Sequence, residues 1–232
     1  MKKALFLPMI CGLLLAGSAW GVTVPYTEDF DLNNANWVSN ASATFLTHSA
    51  AGGPDGGAYA SATFNFQSST AGSSTVLKRA NPTTTMGPAS GGNFIGNWIT
   101  SGVKEFRAQV RHNAPEPVSY FARFADTAGF PGAIAVKIAP VLPNIWTEMF
   151  FSIHPGSPNF VSFEGFSFAD VFDNIGHVQI GISVPAALAG VNQVYTFDVD
   201  KVSIVNTPEP SSLVMGGLAL VALLSRRQIR SL

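Results

Sequence analysis

From Val22 to Val205 the apolar residues recur with a period of two, and this period constrains the fold more than any other feature of the chain. Ala58, Ala60, Ala62, Phe64 and Phe66 alternate with Tyr59, Ser61, Thr63, Asn65 and Gln67. Phe106, Ala108 and Val110 alternate with Glu105, Arg107, Gln109 and Arg111, and Val178, Ile180, Ile182 and Val184 with His177, Gln179, Gly181 and Ser183. Successive side chains of a strand point to opposite faces, so each stretch sends one face to a core and the other to water. Further strands are expected at 24–30, 44–48, 118–124, 133–138, 147–153 and 194–205. In the last of these Tyr195, Phe197 and Val199 share one parity and Val202 and Ile204 the other, which requires a bulge near Asp200-Lys201.

The connections are rich in turn formers: Gly52-Gly53-Pro54-Asp55-Gly56-Gly57, Asn81-Pro82, the stretch from Gly87-Pro88 to Gly91-Gly92, and the segments 113–117 and 155–158. Helical periodicity is confined to a single turn at 169–174. About nine short strands at this spacing predict an all-β fold, a two-sheet antiparallel β-sandwich or jelly roll. The absence of a fixed internal period argues against a propeller or a solenoid. The length of 232 residues suits one such domain with appendages, and 18 Phe with only 12% charged residues exclude a disordered chain.

The appendages are the two ends. Lys2-Lys3, the apolar stretch 4–16 and small residues at Gly17-Ser18-Ala19 or Ala19-Trp20-Gly21 make the three-part layout of a secretory signal peptide, assigned to 1–21. The chain's one cysteine, Cys11, leaves with it, so disulfides, thiol nucleophiles and cysteine-based zinc sites are excluded from the exported protein. At the other end Pro208-Glu209-Pro210 precedes the apolar run 213–224 and then Arg226-Arg227. As a helix that run would span roughly 18 Å, short of a hydrocarbon thickness of roughly 30 Å, so it is a marginal transmembrane helix that meets the inner membrane transiently. The arginines after it place the body outside the cytoplasm. Between these ends, once Lys2, Lys3, Arg226, Arg227, Arg230 and Glu209 are set aside, 8 basic residues face 13 acidic ones. Such a body does not bind nucleic acid through its backbone phosphates.

The terminal segment 207–232 resembles the PEP-CTERM sorting signal, because the Pro-Glu-Pro motif, the apolar helix and the arginine pair occur together and in order. The resemblance implies processing by exosortase in a Gram-negative bacterium that makes extracellular polysaccharide, and delivery to the cell surface or a biofilm matrix. Its residues here are Pro208, Glu209, Pro210, Arg226 and Arg227.

The domain at 22–206 in turn resembles the jelly-roll carbohydrate-binding modules of galactose-binding-like fold. The matching residues are Glu28-Asp29-Phe30 with Trp37, Gly53-Pro54-Asp55-Gly56-Gly57 before Tyr59, Trp146-Thr147, Ile180-Gly181-Ile182, and the closing run from Tyr195 to Val202. The resemblance implies a structural calcium joining the first strand, an early loop and the last strand, for which Glu28 or Asp29, Asp55, and Asp198 or Asp200 are the matching positions. It also assigns Trp37 and Trp146 to packing. No other cofactor is expected.

Sugar rings present C–H faces that stack on flat side chains while amides, carboxylates and guanidinium groups take the hydroxyls. Trp98, beside a glycine-rich loop, and Tyr59, on the polar parity of its strand, are the expected stackers, with Asn97 and Arg107 as polar partners. No Gly-x-Ser-x-Gly, His-Glu-x-x-His, phosphate-binding glycine loop or EF-hand loop occurs, and the four histidines are scattered singly. The reading is a secreted, non-catalytic sandwich that binds or organises extracellular polysaccharide. Two alternatives stay open: a polysaccharide-degrading enzyme, which needs two carboxylates across a cleft, and a structural matrix protein with no sugar site.

Overall fold

A computed structural model describes residues 21–39 and 44–206. The strands, in chain order, are β1 (Tyr26–Glu28), β2 (Val38–Ser39), β3 (Thr44–Phe45), β4 (Thr47–Ser49), β5 (Tyr59–Asn65), β6 (Ser74–Ala80), β7 (Glu105–His112), β8 (Ser119–Asp126), β9 (Gly132–Val136), β10 (Thr147–Ser152), β11 (Phe160–Ser162), β12 (Ile175–Ser183) and β13 (Val194–Val205), with one short helix, α1 (Phe168–Phe172), before β12. They form two antiparallel sheets. Sheet A runs β10-β7-β13-β5-β4 with β1 on the outer part of β13, and sheet B runs β11-β9-β8-β12-β6-β2-β3. The expected all-β sandwich is therefore the fold. The two terminal helices expected from sequence fall at residues outside those described, and among the described residues no helix is long and apolar enough to cross a membrane.

The alternation places the core as expected. Ala60 and Ala62 of β5, Phe106, Ala108 and Val110 of β7, and Val178, Ile180 and Ile182 of β12 are all buried between the sheets. Aromatic rings pack against one another in that space: Phe106 meets Phe124 edge-on at 5.1 Å, and Phe197 meets Phe66 at 5.8 Å. Each fully buried Phe contributes about 1.5–3 kcal/mol of transfer free energy, so a sandwich without disulfides can hold through packing. The helical turn expected at 169–174 is α1, closed at its N-terminus by a reciprocal cap in which Ser167 Oγ accepts from the Asp170 amide and Asp170 accepts from the Ser167 amide.

The bulge is where the parity switch required it. Asp200 lies opposite Gln109 and Ser203 opposite Arg107, so Lys201 and Val202 together face a single residue of β7. Lys201 takes a left-handed φ of +48°. Two expectations change. The stretch 44–48 divides at the buried Leu46, sending β3 to sheet B and β4 to sheet A. Strands β2, β6 and β11 were not expected, and β6 holds a central place in sheet B between β12 and β2.

Candidate functional site

On β12 and β8 the residues opposite in parity to the core are His177, Gln179, Gly181 and Ser183, and Ser119, Phe121 and Arg123. Side chains on an outer face are ordinarily wetted. Here Gln179 is only 4% exposed and Phe121 only 6%, so the side chains of this outer face of sheet B cover one another. Two glycines shape its floor. A Cβ on Gly181 would come within 2.4 Å of the Phe121 ring, and one on Gly132 within 2.6 Å of the Arg123 guanidinium. Both side chains therefore lie flat across neighbouring strands, which a side chain at either glycine would prevent.

The polar groups of this face form three neighbouring sets of hydrogen bonds. Arg123 is held by Glu164 through Nε at 2.6 Å and Nη2 at 2.7 Å, with a further bond from Nη2 to the Gly129 carbonyl at 2.9 Å. Such bidentate pairing fixes the plane of the guanidinium. Opposite Gln179 on the next strand, Arg79 donates to the Gln179 amide oxygen from Nε at 3.1 Å and Nη2 at 3.2 Å, the amide orientation being assigned from this network. Among the described residues Arg79 has no carboxylate partner. Burial, and then the nearby positive charge of Arg123, lower its pKa from the ordinary value. His177 lies between Asn81 Oδ1 at 3.2 Å and the Thr127 carbonyl at 3.1 Å, and burial lowers its pKa too. At the border an exposed aromatic pair, Phe130 and Phe166, meets edge-on at 5.0 Å, each ring next but one or closer in sequence to a partner of Arg123. The arrangement offers fixed donors, an amide and wetted aromatic rings on one face of sheet B.

The four residues expected from sequence to contact sugar do not form one site. Trp98 is a correction: it is fully buried, its indole N–H donates to the Phe94 carbonyl at 2.8 Å, and its ring meets Phe124 at 5.3 Å. The glycine-rich loop folds beneath α1 instead of leaving the indole in water. Asn97 closes the following turn by accepting from the Thr100 amide at 2.8 Å. Tyr59 and Arg107 do lie on an outer face, but that of sheet A. There Arg111 stacks over Tyr59 at 5.1 Å and Trp146 at 4.5 Å, while Arg107 binds Glu105 at 2.7 Å and Glu148 at 3.3 Å and covers Phe150 at 5.1 Å. A shallow groove of about 310 Å³ runs past Thr27, Arg107, Gln109, Glu148 and Lys201. Trp37 is a core residue, as the resemblance implied. Sequence reasoning missed Arg79, Gln179, Arg123 and Glu164. The polar parity of Gln179 was legible, but its covering by neighbouring side chains was not.

The acids expected around calcium divide in the same way. Asp29, Asp55 and Asp200 line one pocket of about 230 Å³ with Asp31. Glu28 turns away to accept from the Tyr26 hydroxyl at 2.9 Å and the Phe30 amide at 3.1 Å, and Asp198 is bound to Arg111 at 2.7 Å. Among the described residues no three carboxylate, imidazole or thiol groups are gathered closely enough to hold an ion. The Lys201 ammonium enters this pocket and binds Asp55 at 2.6 Å.

Residues 206–230 match the PEP-CTERM protein-sorting motif. No curated protein sequence matches the chain. Among solved structures, an exo-β-agarase superposes with a TM-score of 0.50 at 11% identity, covering 79% of this chain and 25% of that one. The CBM22-1 and GH10 modules of Clostridium thermocellum endo-1,4-β-D-xylanase 10B, solved with xylohexaose, give 0.48 at 16% identity over 79% of this chain and 28% of that one. The family 11 carbohydrate-binding module from the same organism, solved with a β-1,3-1,4-mixed-linked tetrasaccharide, gives 0.45 at 11% identity over 81% and 99%. The chain thus spans about a quarter of the agarase and xylanase chains. The protein is a jelly-roll β-sandwich that carries a PEP-CTERM sorting motif, and carbohydrate-binding modules are among its structural neighbours.

Proposed function

We propose that this protein is exported, sorted to the cell surface or extracellular matrix by exosortase, and there binds or organises extracellular polysaccharide without catalysing a reaction. The outer face of sheet B carries the reading. Gln179 is 4% exposed on a parity that should face water, between two guanidinium groups whose planes are fixed by hydrogen bonds. Preorganised donors lose little side-chain entropy when a polyhydroxylated chain binds, and the Phe130–Phe166 pair supplies C–H stacking at the border. Glu164 is committed to Arg123 by two short bonds, which suits a positioning role better than proton transfer. The proposed sugar contacts are therefore Arg79, Arg123 and Gln179, in place of the expected Trp98, Tyr59, Asn97 and Arg107.

The test is retention of the protein on immobilised bacterial extracellular polysaccharides, scored together with released reducing sugar. Arg79→Ala should weaken retention by at least about tenfold, which is roughly 1.4 kcal/mol, with the fold intact and no sugar released. Absence of retention on every polysaccharide, or catalytic release of sugar, overturns the reading.

A further inference from the structure

Arg79, Gln179 and Arg123 stand in one row across the adjacent strands β6, β12 and β8, since Gln179 pairs with Arg79 on one side and with Arg123 on the other. Two inter-strand spacings put the two arginine Cα atoms roughly 10 Å apart. Their charges are handled differently. Of the four arginines among the described residues, three hold a carboxylate: Arg107 that of Glu105 at 2.7 Å, Arg111 that of Asp198 at 2.7 Å and Arg123 that of Glu164 at 2.6 Å. Arg79 holds none. Its Nε and Nη2 donate to the Gln179 amide oxygen, a neutral acceptor that orients the fork without cancelling its charge. Its Nη1 has no partner among the described residues and is open to solvent. The charge that acts on Arg79 is that of Arg123, which has the same sign. The row therefore carries one uncompensated positive charge, on a body in which 8 basic residues face 13 acidic ones.

We propose that the polysaccharide held by this face is acidic, and that the free edge of the Arg79 fork takes the carboxylate of a uronic acid residue. The inference rests on the outer face of sheet B being the sugar-binding surface. A neutral sugar laid over Arg79 would cut its guanidinium off from water and leave the charge unpaired, which is costly. A carboxylate cancels that charge, and Nη1 together with the second hydrogen of Nη2 presents the planar pair of donors that a carboxylate accepts in bidentate fashion. At the other end of the row Glu164 already neutralises Arg123, so the face has room for one anionic group there and none beside the Phe130–Phe166 pair.

The experiment measures retention of the purified protein on immobilised polygalacturonate, alginate and hyaluronate, each beside its own carboxyl-reduced, neutral form, with dextran as an unrelated neutral polymer. The wild type should be held by at least one acidic polymer at least about tenfold better than by its reduced form, the worth of one hydrogen bond to a charged group. The difference should shrink between about 0.05 and 0.5 M sodium chloride, as screening weakens the charge pair. Arg79→Gln should hold both forms alike. Arg79→Lys keeps the charge and should keep a preference for the acidic form, and Lys104→Gln, which removes an exposed positive charge elsewhere, should leave the preference unchanged. Urea midpoints on the same preparations show that each variant is folded. A wild type that holds the reduced form as well as the acidic one overturns the proposal, as does a preference that survives in Arg79→Gln or vanishes in Arg79→Lys. Retention on dextran or the reduced polymers alone overturns it while leaving the sugar-binding reading in place, and retention on none of the polymers overturns both.

Discussion

The Lys78 ammonium lies 5.9 Å from the centroid of the Phe197 ring, fully buried between the two sheets. Lys78 pairs with Ile180 on β12, so its parity is that of the core, and its Nζ has no hydrogen-bond partner among the described residues. The ring face offers a cation–π interaction at the long end of its range, and the Asp198 carboxylate adds an attractive charge that only partly offsets burial. Burial accordingly pushes the lysine down to about 7 from an ordinary 10.5. An amine whose folded pKa lies below its unfolded one makes the unfolded chain bind more protons between the two values. Stability therefore rises with pH across that window, from about 7 to 10.5. Below about 7 the desolvation cost is present in full. Lys78→Met keeps the volume and removes the charge, and it should stabilise the protein at pH 7 by about 1–4 kcal/mol, the range found when buried ionic groups give way to apolar ones. It should also flatten the alkaline limb. Urea midpoints at pH 7 and pH 10 for both proteins check this, and an unchanged or lower midpoint for the variant at pH 7 contradicts it.

Gly181→Ala tests the packing of Phe121 across the outer face of sheet B. The new methyl would meet Phe121 Cζ at 2.4 Å and the Thr75 carbonyl oxygen at 2.5 Å. The ring can swing aside, but the carbonyl belongs to the neighbouring strand and cannot. Overpacking of this kind costs about 1–3 kcal/mol. The expected outcome is a lower urea midpoint together with weaker polysaccharide retention, since Phe121 must leave the floor. A protein unchanged in both respects would show that the floor is not rigid.

Trp98→Ala separates core from surface at the residue most misleading in the sequence. The indole packs on Phe124 and Phe172 and donates to the Phe94 carbonyl. Its loss should cost roughly 3–5 kcal/mol through the cavity left behind and leave the affinity of the folded fraction for polysaccharide unaltered. Denaturation and retention measured on one preparation decide the matter, and a retention defect without a stability loss would reverse the assignment.

Period-two alternation was enough to place β5, β7 and β12, and the parity switch in β13 located its bulge at Asp200-Lys201. These features are local, and one strand's sequence encodes them. Strand β6 was illegible because Lys78 occupies a core position and a register shift opposite Ile180 and Gly181 makes Leu77 a core residue as well, so no alternation survives in Ser74–Ala80. The covering of Gln179 and Phe121 was illegible for another reason: two outward glycines on different strands, Gly132 and Gly181, leave room for neighbouring side chains to lie across the face. Trp98 shows the converse error. A glycine-rich loop reads as exposed, yet this one is pinned by a bond from the Trp98 amide to the Phe172 carbonyl at 2.9 Å and a bridge between Gly96 and Ile175.

The sorting motif at 206–230 carries the remaining prediction. The described fold ends with Val205 still paired to β7 and its carbonyl accepting the Lys104 amide at 2.9 Å, so the sandwich is complete before the motif begins. The hydrogen bonds of the strands within 21–206 are made among the described residues, so removal of the tail leaves them in place. The apolar run 213–224 is also too short for a comfortable span, since a membrane helix needs roughly 20 apolar residues. Cleavage near Pro208–Pro210 is expected in a host that has exosortase, and the released domain should have the urea midpoint of the uncleaved chain. Intact-mass measurement of the surface form from wild-type and exosortase-deficient cells checks the first point. Recovery of chain extending to Leu232 from wild-type cells would refute processing, while Glu209→Gln, if it abolished cleavage without changing the midpoint, would assign the recognition to the motif and not to the fold.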